Sequence, residues 1–355
     1  MAKRKSGLLF TRSFQRTLSA MTRATVRAST KAMAQALRTK PAKRVKRPSV
    51  AATSSRSKPT ATGTVASQER AGVALTVTGP RRYRLFKPVG VRRNEKLPLL
   101  VMLHGCGQDA QGLSTISRMN RLAERERFLV LYPEQDRVAH IQGCWNWYDT
   151  RTGRAQAEAD SIDATLAHVC LTQPVDPSRM ALAGLSAGAG MAALLAMRHP
   201  QRFRAVAMHS GIVPGVAHSS ASALSAMAGH RIKAAPVTSL ASGTHLPALL
   251  VIQGTTDHIV APSNGSEAAR LWAQTEGAQP GLPRTVQRGA RYAMNVTDYR
   301  TQGKLVATLC EVIGLGHAWS GGAAGQSYSD PKGPDASRMI WAFMSKQFKL
   351  SAGQE

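Results

Sequence analysis

The chain begins with a long segment that contains no acid. Lys and Arg number 47 against 20 Asp and Glu over 355 residues, and no acidic residue precedes Glu69. Residues 1–68 hold 16 of the basic residues and so carry +16 of the formal net charge of +27. Such a shift marks an appendage of about 70 residues, 1–70, ahead of a domain spanning 71–355. Cysteine is scarce as well. Cys106, Cys144, Cys170 and Cys310 are too few for a disulfide-dense scaffold. Long apolar runs are absent, and none approaches the roughly 20 residues of a membrane span. Aromatic residues make up only 5% of the chain, so the cluster Trp145, Trp147 and Tyr148 stands out as either core packing or the wall of an apolar cleft. No internal repeat is present. The 43% hydrophobic content suffices for one large core.

Against these absences, one octapeptide is rich in information. Ala183-Gly184-Leu185-Ser186-Ala187-Gly188-Ala189-Gly190 sets a serine within Gly-x-Ser-x-Gly. The preceding Arg179–Ala183 reads as a strand and the following Ala189–His199 as a helix, so Ser186 falls on the sharp turn that a nucleophile elbow requires. Glycine is needed at 184 and 188 because a side chain there would collide with the neighbouring strand or helix. An activated serine needs a base and an orienting acid, which α/β-hydrolases supply in the chain order Ser, Asp/Glu, His. His245–Gly254 reads as a buried strand ending just before Asp257. Leu305–Ile313 reads as another, followed by the glycine-flanked His317. Ser186, Asp257 and His317 are therefore the expected triad. Asp298 is a spare acid on the wrong side of the last strand, and His258 is a loop histidine. A fourth run, Leu97–Leu103, ends in His104-Gly105-Cys106-Gly107-Gln108. Backbone amides in such a turn can hold a developing oxyanion, where one lost donor costs on the order of 3 kcal/mol. The expected donors are the amides of Cys106 and Ala187. As a metal site this turn offers too few ligands.

Taken together, LHGCGQ, GLSAGAGMA, QGTTDHIV and GHAWSGG, in this order, resemble the catalytic domain of the poly(3-hydroxybutyrate) depolymerase family of esterases, which is similar to feruloyl and acetylxylan esterases. The likeness extends from about Arg81 to about Phe348. It implies an α/β-hydrolase fold, a mostly parallel central sheet with helices on both faces, and serine-esterase chemistry with no metal or cofactor. The substrate implied is a short-chain polyhydroxyalkanoate or its oligomers. The resemblance also puts Trp319, after the histidine, in the substrate cleft, with Trp145 and Trp147 as further candidates for its wall. Ser320 departs from the family, whose members usually carry proline there, and this bears on the rigidity of the histidine loop. Ala189 stands where a further glycine is common. Secreted relatives suggest that Cys106 and Cys144 are neighbours.

Within the basic appendage, Phe10, Phe14, Leu18 and Met21, with Ala28, Ala32 and Ala36, fall on one helical arc, while Arg12, Arg16, Arg23, Arg27, Lys31 and Arg38 fall on the other. Pro41 ends this amphipathic helix, and a basic, Ser/Thr/Ala-rich linker follows to about Val65. Leu8-Leu9-Phe10 is too short for the apolar region of a secretory signal. An organelle transit peptide fits the composition. An anchor on a granule or anionic surface through residues 8–38 fits best, with nucleic-acid attraction a secondary reading. Without a signal, a cytoplasmic, granule-associated protein with free thiols is expected. The runners-up are a feruloyl- or acetyl-releasing carbohydrate esterase and a non-catalytic binding protein.

Overall fold

Strands whose every position is apolar can survive only if both faces of their sheet are covered. Leu97–Leu103 (β3), Leu129–Pro133 (β4) and Ala205–His209 (β6) are buried throughout, and Ala248–Gly254 (β7) is buried at all but its first residue. The computed structural model describes residues 68–92, 94–230 and 245–352. The expected helix over residues 10–38 lies outside them.

Before β3 come Gln68–Thr76 (β1) and Gly79–Lys87 (β2), and between β4 and β6 lies Val175–Leu185 (β5). The remaining strands are Gln279–Pro280 (β8), Arg284–Val286 (β9), Met294–Thr301 (β10), Lys304–Val312 (β11), Trp319–Ser320 (β12) and Ser329–Asp330 (β13). The large sheet runs β1-β2-β4-β3-β5-β6-β7-β11-β10-β8, with β9 also on β10 and with β12 and β13 forming a separate pair. Its centre, from β4 through β11, is parallel. Toward each edge the pairing is an antiparallel hairpin, β1 with β2 at one end and β10 with β11 at the other, where β8 and β9 lie outside β10. β1 opens at Gln68, past the linker that ends at about Val65 but inside the appendage 1–70.

Side chains alternate across a strand, and here the alternation sorts the core into two layers. Leu99, Val101 and Leu103 face one side, packed with Arg154–Thr172 (α3), Ala187–Arg198 (α4) and Ser263–Thr275 (α6). Leu100 and Met102 face the other, packed with Ala110–Ser117 (α1), Met119–Glu126 (α2) and Ala336–Ala352 (α7). Ser220–Met227 (α5) is fixed at its start by a reciprocal Ser219–Ser222 capping box. A helix-covered, mostly parallel sheet of this order is the α/β-hydrolase architecture that the motifs imply. β5 is longer than expected at both ends, and α4 starts directly after Ser186.

Candidate active site

In open α/β sheets, ligands bind beyond the carboxyl ends of the parallel strands. Ser186 follows β5, Asp257 follows β7 and His317 follows β11, all within the consecutive order β5-β6-β7-β11. Ser186 has φ 56° and ψ −120°, a backbone conformation that L-residues rarely adopt and that is held only when the surroundings over-determine it. The surroundings are backbone. A Cβ on Gly184 would strike the Gly188 carbonyl, and one on Gly188 would strike the carbonyls of Leu103 and His104. The Ser186 amide donates to the His209 carbonyl at 2.9 Å, and the Ser186 carbonyl accepts from Ala189 at 3.0 Å and Gly190 at 3.2 Å.

The acid and the histidine are joined by a hydrogen bond between Asp257 Oδ2 and His317 Nδ1 at 2.8 Å. A carboxylate only accepts, so the imidazole carries a proton on Nδ1. The Asp257 side chain is completely buried. Burial alone would raise its pKa. Hydrogen bonds from His317 and from the amides of Val260 (2.8 Å) and Ile259 (2.9 Å) outweigh that effect and hold the carboxyl below its usual range. The two loops are sewn together by backbone, Thr255 donating to Val312 at 3.0 Å and Thr256 to Leu315 at 3.1 Å. Asp298 lies on β10, accepting from Thr308 at 2.7 Å and from Arg284 at 3.1 Å, apart from His317. His258 is exposed. Among the described residues no hydrogen bond joins Ser186 to His317, a gap common before substrate tightens a site.

Ser186, Ala187, Cys106, Cys144, Trp147 and Tyr148 help line a cavity of about 380 Å³. Ala187 opens α4, where an amide has no intrahelical acceptor. In the facing turn, the Gly105 amide is taken by Gln108 Oε1 (2.9 Å) and the Gly107 amide by the Gln142 carbonyl (3.0 Å). The Cys106 amide between them meets no acceptor among the described residues. Cys106 is disulfide-bonded to Cys144, the two that the resemblance makes neighbours, where free thiols are the default of a reducing cytoplasm; Cys170 and Cys310 are free. Trp147 meets Tyr148 edge-on at 5.7 Å. Trp145 also borders the cavity but is fully buried, with its indole N–H on the His104 carbonyl at 3.0 Å and the Arg81 guanidinium 5.4 Å above its ring, so it backs the wall.

Trp319 requires a correction. It is fully buried, stacked on His209 at 5.2 Å and donating to Ser337 Oγ at 3.2 Å, so it anchors the histidine loop from beneath and does not line the cavity. Ser320 rigidifies the same loop. Its hydroxyl donates to the Pro334 carbonyl at 2.6 Å and its amide to His209 Nε2 at 3.1 Å. Sequence reasoning also missed the buried support of the Cys106 turn. Glu158 accepts from Gln135 Nε2 (2.7 Å), from the Asn146 amide (2.9 Å) and from Asn146 Nδ2, while the nearly buried Arg81 donates to Ser161 Oγ (2.8 Å) and Gln135 Oε1 (3.3 Å). No spacing signals this set, whose members come from β2, α3 and the loop that joins β4 to α3. Among the described residues no group of His, Cys, Asp or Glu could hold a metal, and no helix is long and apolar enough to cross a membrane.

Fold and site together define an α/β-hydrolase with a serine on its elbow. The family model "Esterase PHB depolymerase" matches residues 81–279, more than half of the chain, and the chain belongs to that family. The match includes Ser186 and Asp257 and stops short of His317. Poly(3-hydroxyalkanoate) depolymerase C of Paucimonas lemoignei is 30% identical over 243 residues, 64% of this chain and 58% of that protein. This chain thus spans less than two thirds of that relative's length. Feruloyl esterase B of Neurospora crassa is 25% identical over 279 residues, 72% of this chain and 90% of that protein. Among solved structures, the acetyl xylan esterase from Aspergillus awamori superimposes with a TM-score of 0.56 at 21% identity, covering 67% of this chain and 89% of that one, a likeness of fold.

Proposed function

We propose that the protein is a serine carboxylic-ester hydrolase acting on short-chain polyhydroxyalkanoate or its oligomers. The observation that carries the reading is the strained Ser186 turn opening on an apolar cavity, two strand positions from Asp257 and three from the His317 bonded to it. Ser186 Oγ attacks the ester carbonyl carbon while His317 Nε2 takes its proton. Asp257 holds the imidazole and balances its charge. The carbonyl oxygen, now negative, sits between the amides of Cys106 and Ala187. Collapse breaks the C–O bond, and the leaving alcohol receives the proton from His317. Water then attacks the acyl-serine with His317 again as base, releasing a hydroxy acid and restoring Ser186.

The polyester is favoured over other esters by the family and by the depolymerase relative. A carbohydrate ester is the second reading, favoured by the edge-on Trp147–Tyr148 pair in the cavity, which suits an aryl acyl group, and by the feruloyl esterase relative. Rates on amorphous polyhydroxybutyrate granules, soluble hydroxybutyrate oligomers and methyl ferulate separate them. The first reading expects turnover of the two polyester substrates, and turnover of methyl ferulate alone overturns it.

Location is part of the proposal. A cytoplasmic enzyme fastened to stored polymer through residues 8–38 accords with the composition of that segment, but the Cys106–Cys144 bond speaks for an oxidising compartment. Counting free thiols in protein alkylated during cytoplasmic lysis decides the matter. Four free thiols fit a reducing cytoplasm, and two fit an oxidised pair.

A further inference from the structure

His209 closes β6 and touches both sides of the site. Its backbone carbonyl accepts the Ser186 amide at 2.9 Å. Its imidazole Nε2 accepts the Ser320 amide at 3.1 Å, three residues beyond His317, and its ring stacks on Trp319 at 22°. An amide N–H can be met only by a lone pair, so the His209 proton resides on Nδ1, facing Ser210 Oγ at 3.1 Å. An imidazolium would turn an N–H toward the Ser320 N–H and break the contact.

We propose that His209 is a positioning residue, a neutral imidazole that clamps the loop bearing His317 to the turn bearing Ser186. The proposal rests on the reading of Ser186, Asp257 and His317 as a triad. Burial, then the charge that His317 can carry, pulls the His209 pKa down to about 3 against the opposing pull of Asp257, so the clamp stays neutral at working pH. Neutrality has a second consequence. His317 becomes positive as the serine attacks, and a charged neighbour would oppose that step.

The test compares His209→Phe, which keeps an aromatic ring on Trp319 but has no acceptor, with His209→Gln, whose Oε1 can still accept from Ser320. Turnover of p-nitrophenyl butyrate is measured per active site titrated with a fluorophosphonate, so that misfolded protein does not count. Misplacing a catalytic group by about 1 Å can cost up to about a hundredfold. The expectation is a fall in kcat of at least about tenfold for His209→Phe with KM little changed, and recovery of most of the loss in His209→Gln. A kcat within about twofold of wild type in His209→Phe, or equal losses in both variants, would overturn the clamp. As a second readout, ¹⁵N-histidine NMR of the wild type should show the His209 imidazole, beside the similarly buried His104 whose Nδ1 meets the Gly105 carbonyl, with its proton on Nδ1 and no titration between about pH 5 and 9. Assigned by its loss in His209→Gln, that resonance appearing as the Nε2–H tautomer, or titrating in this range, would equally overturn it. A wild-type enzyme that the fluorophosphonate labels nowhere fails the triad reading and takes the clamp with it. A labelled wild type with an indifferent His209→Phe sinks the clamp alone.

Discussion

The two walls of the cavity are built on different principles. On the Ser186 side, geometry is enforced by backbone against backbone, with Gly184 against Gly188 and Gly188 against the end of β3. On the Cys106 side, side chains from distant segments do the same work. The Cys106–Cys144 bond ties the turn to the Trp145–Tyr148 loop, and Glu158, bonded to Asn146 of that loop and to Gln135, holds it from behind with Arg81. The difference shows why one wall tolerates almost no substitution at two small residues while the other depends on chemistry that can be reduced, protonated or unpaired one bond at a time.

The largest effect expected lies on the backbone-built wall. Ser186→Ala should fold normally, since the turn is set by its glycine neighbours, and lose ester hydrolysis by at least about a thousandfold, because triad members act as a unit. Near-wild-type turnover of a short p-nitrophenyl ester by this variant would remove the nucleophile from the mechanism.

Asp257→Asn comes next, with a loss of at least about a hundredfold in kcat from the missing charge and the altered histidine tautomer. It also has a signature in acid. The folded carboxyl keeps its charge to lower pH than it would in the unfolded chain. Its contribution to stability is therefore complete above the ordinary carboxylate range and is lost as pH falls through the depressed folded value. Denaturant midpoints measured from pH 6 down to pH 3 should fall less steeply in Asp257→Asn than in wild type. Should Asp298→Asn be the variant that loses activity, the strand ordering used to choose the acid is wrong.

What the sequence makes legible follows the same division. The elbow, the strand ends and the acid–histidine pair could be read because each depends on a local pattern, an apolar run followed by glycine and one polar residue. β3 was legible to the residue, since burial on both faces leaves no room for alternation. β1 was not, because Val73 and Leu75 are exposed at its edge position and the strand lacks a dry face to announce it. Trp319 was misread for a physical reason. A tryptophan beside a catalytic histidine can point into the cleft or under the loop, and only the partners on β6 and α7 decide that it points under. His209 was invisible because one histidine at the end of AVAMH is indistinguishable from a buried spectator until Ser186 and Ser320 are seen to meet it. For Cys106 and Cys144 the resemblance suggested only that they are neighbours, and the bond itself was not legible, since 38 residues of separation carry no local signal.

On the wall built from side chains, the effects are smaller and are divided between stability and rate. Replacing both Cys106 and Cys144 by serine removes a cross-link over 38 residues, worth about 4 kcal/mol by loop-closure entropy. Urea titration should show that loss. Turnover should fall by only about three- to tenfold, because the Cys106 amide survives and the Glu158 set still supports the loop. An unchanged denaturant midpoint would mean that this wall holds its shape without the covalent tie.

Both walls are complete within the residues that begin at β1, which gives the smallest expected effect and the most discriminating one for the appendage. Deleting residues 1–65 stops short of Gln68 and removes no residue of either wall. Turnover of soluble short esters should therefore stay within about twofold of the full chain. Binding to polyhydroxybutyrate granules or anionic vesicles should fall instead, since the deletion removes +16 of charge together with the apolar arc of Phe10, Phe14 and Leu18. Exchanging those three for serine leaves the charge untouched, so a matching loss of binding identifies an apolar anchor. Binding that survives the exchange and disappears in high salt identifies attraction to anionic surfaces or nucleic acid. Granule recovery unchanged by the full deletion would leave the catalytic unit as the sole contact with polymer. A drop in soluble-ester turnover would show that the division between a self-contained site and an appended segment is drawn in the wrong place.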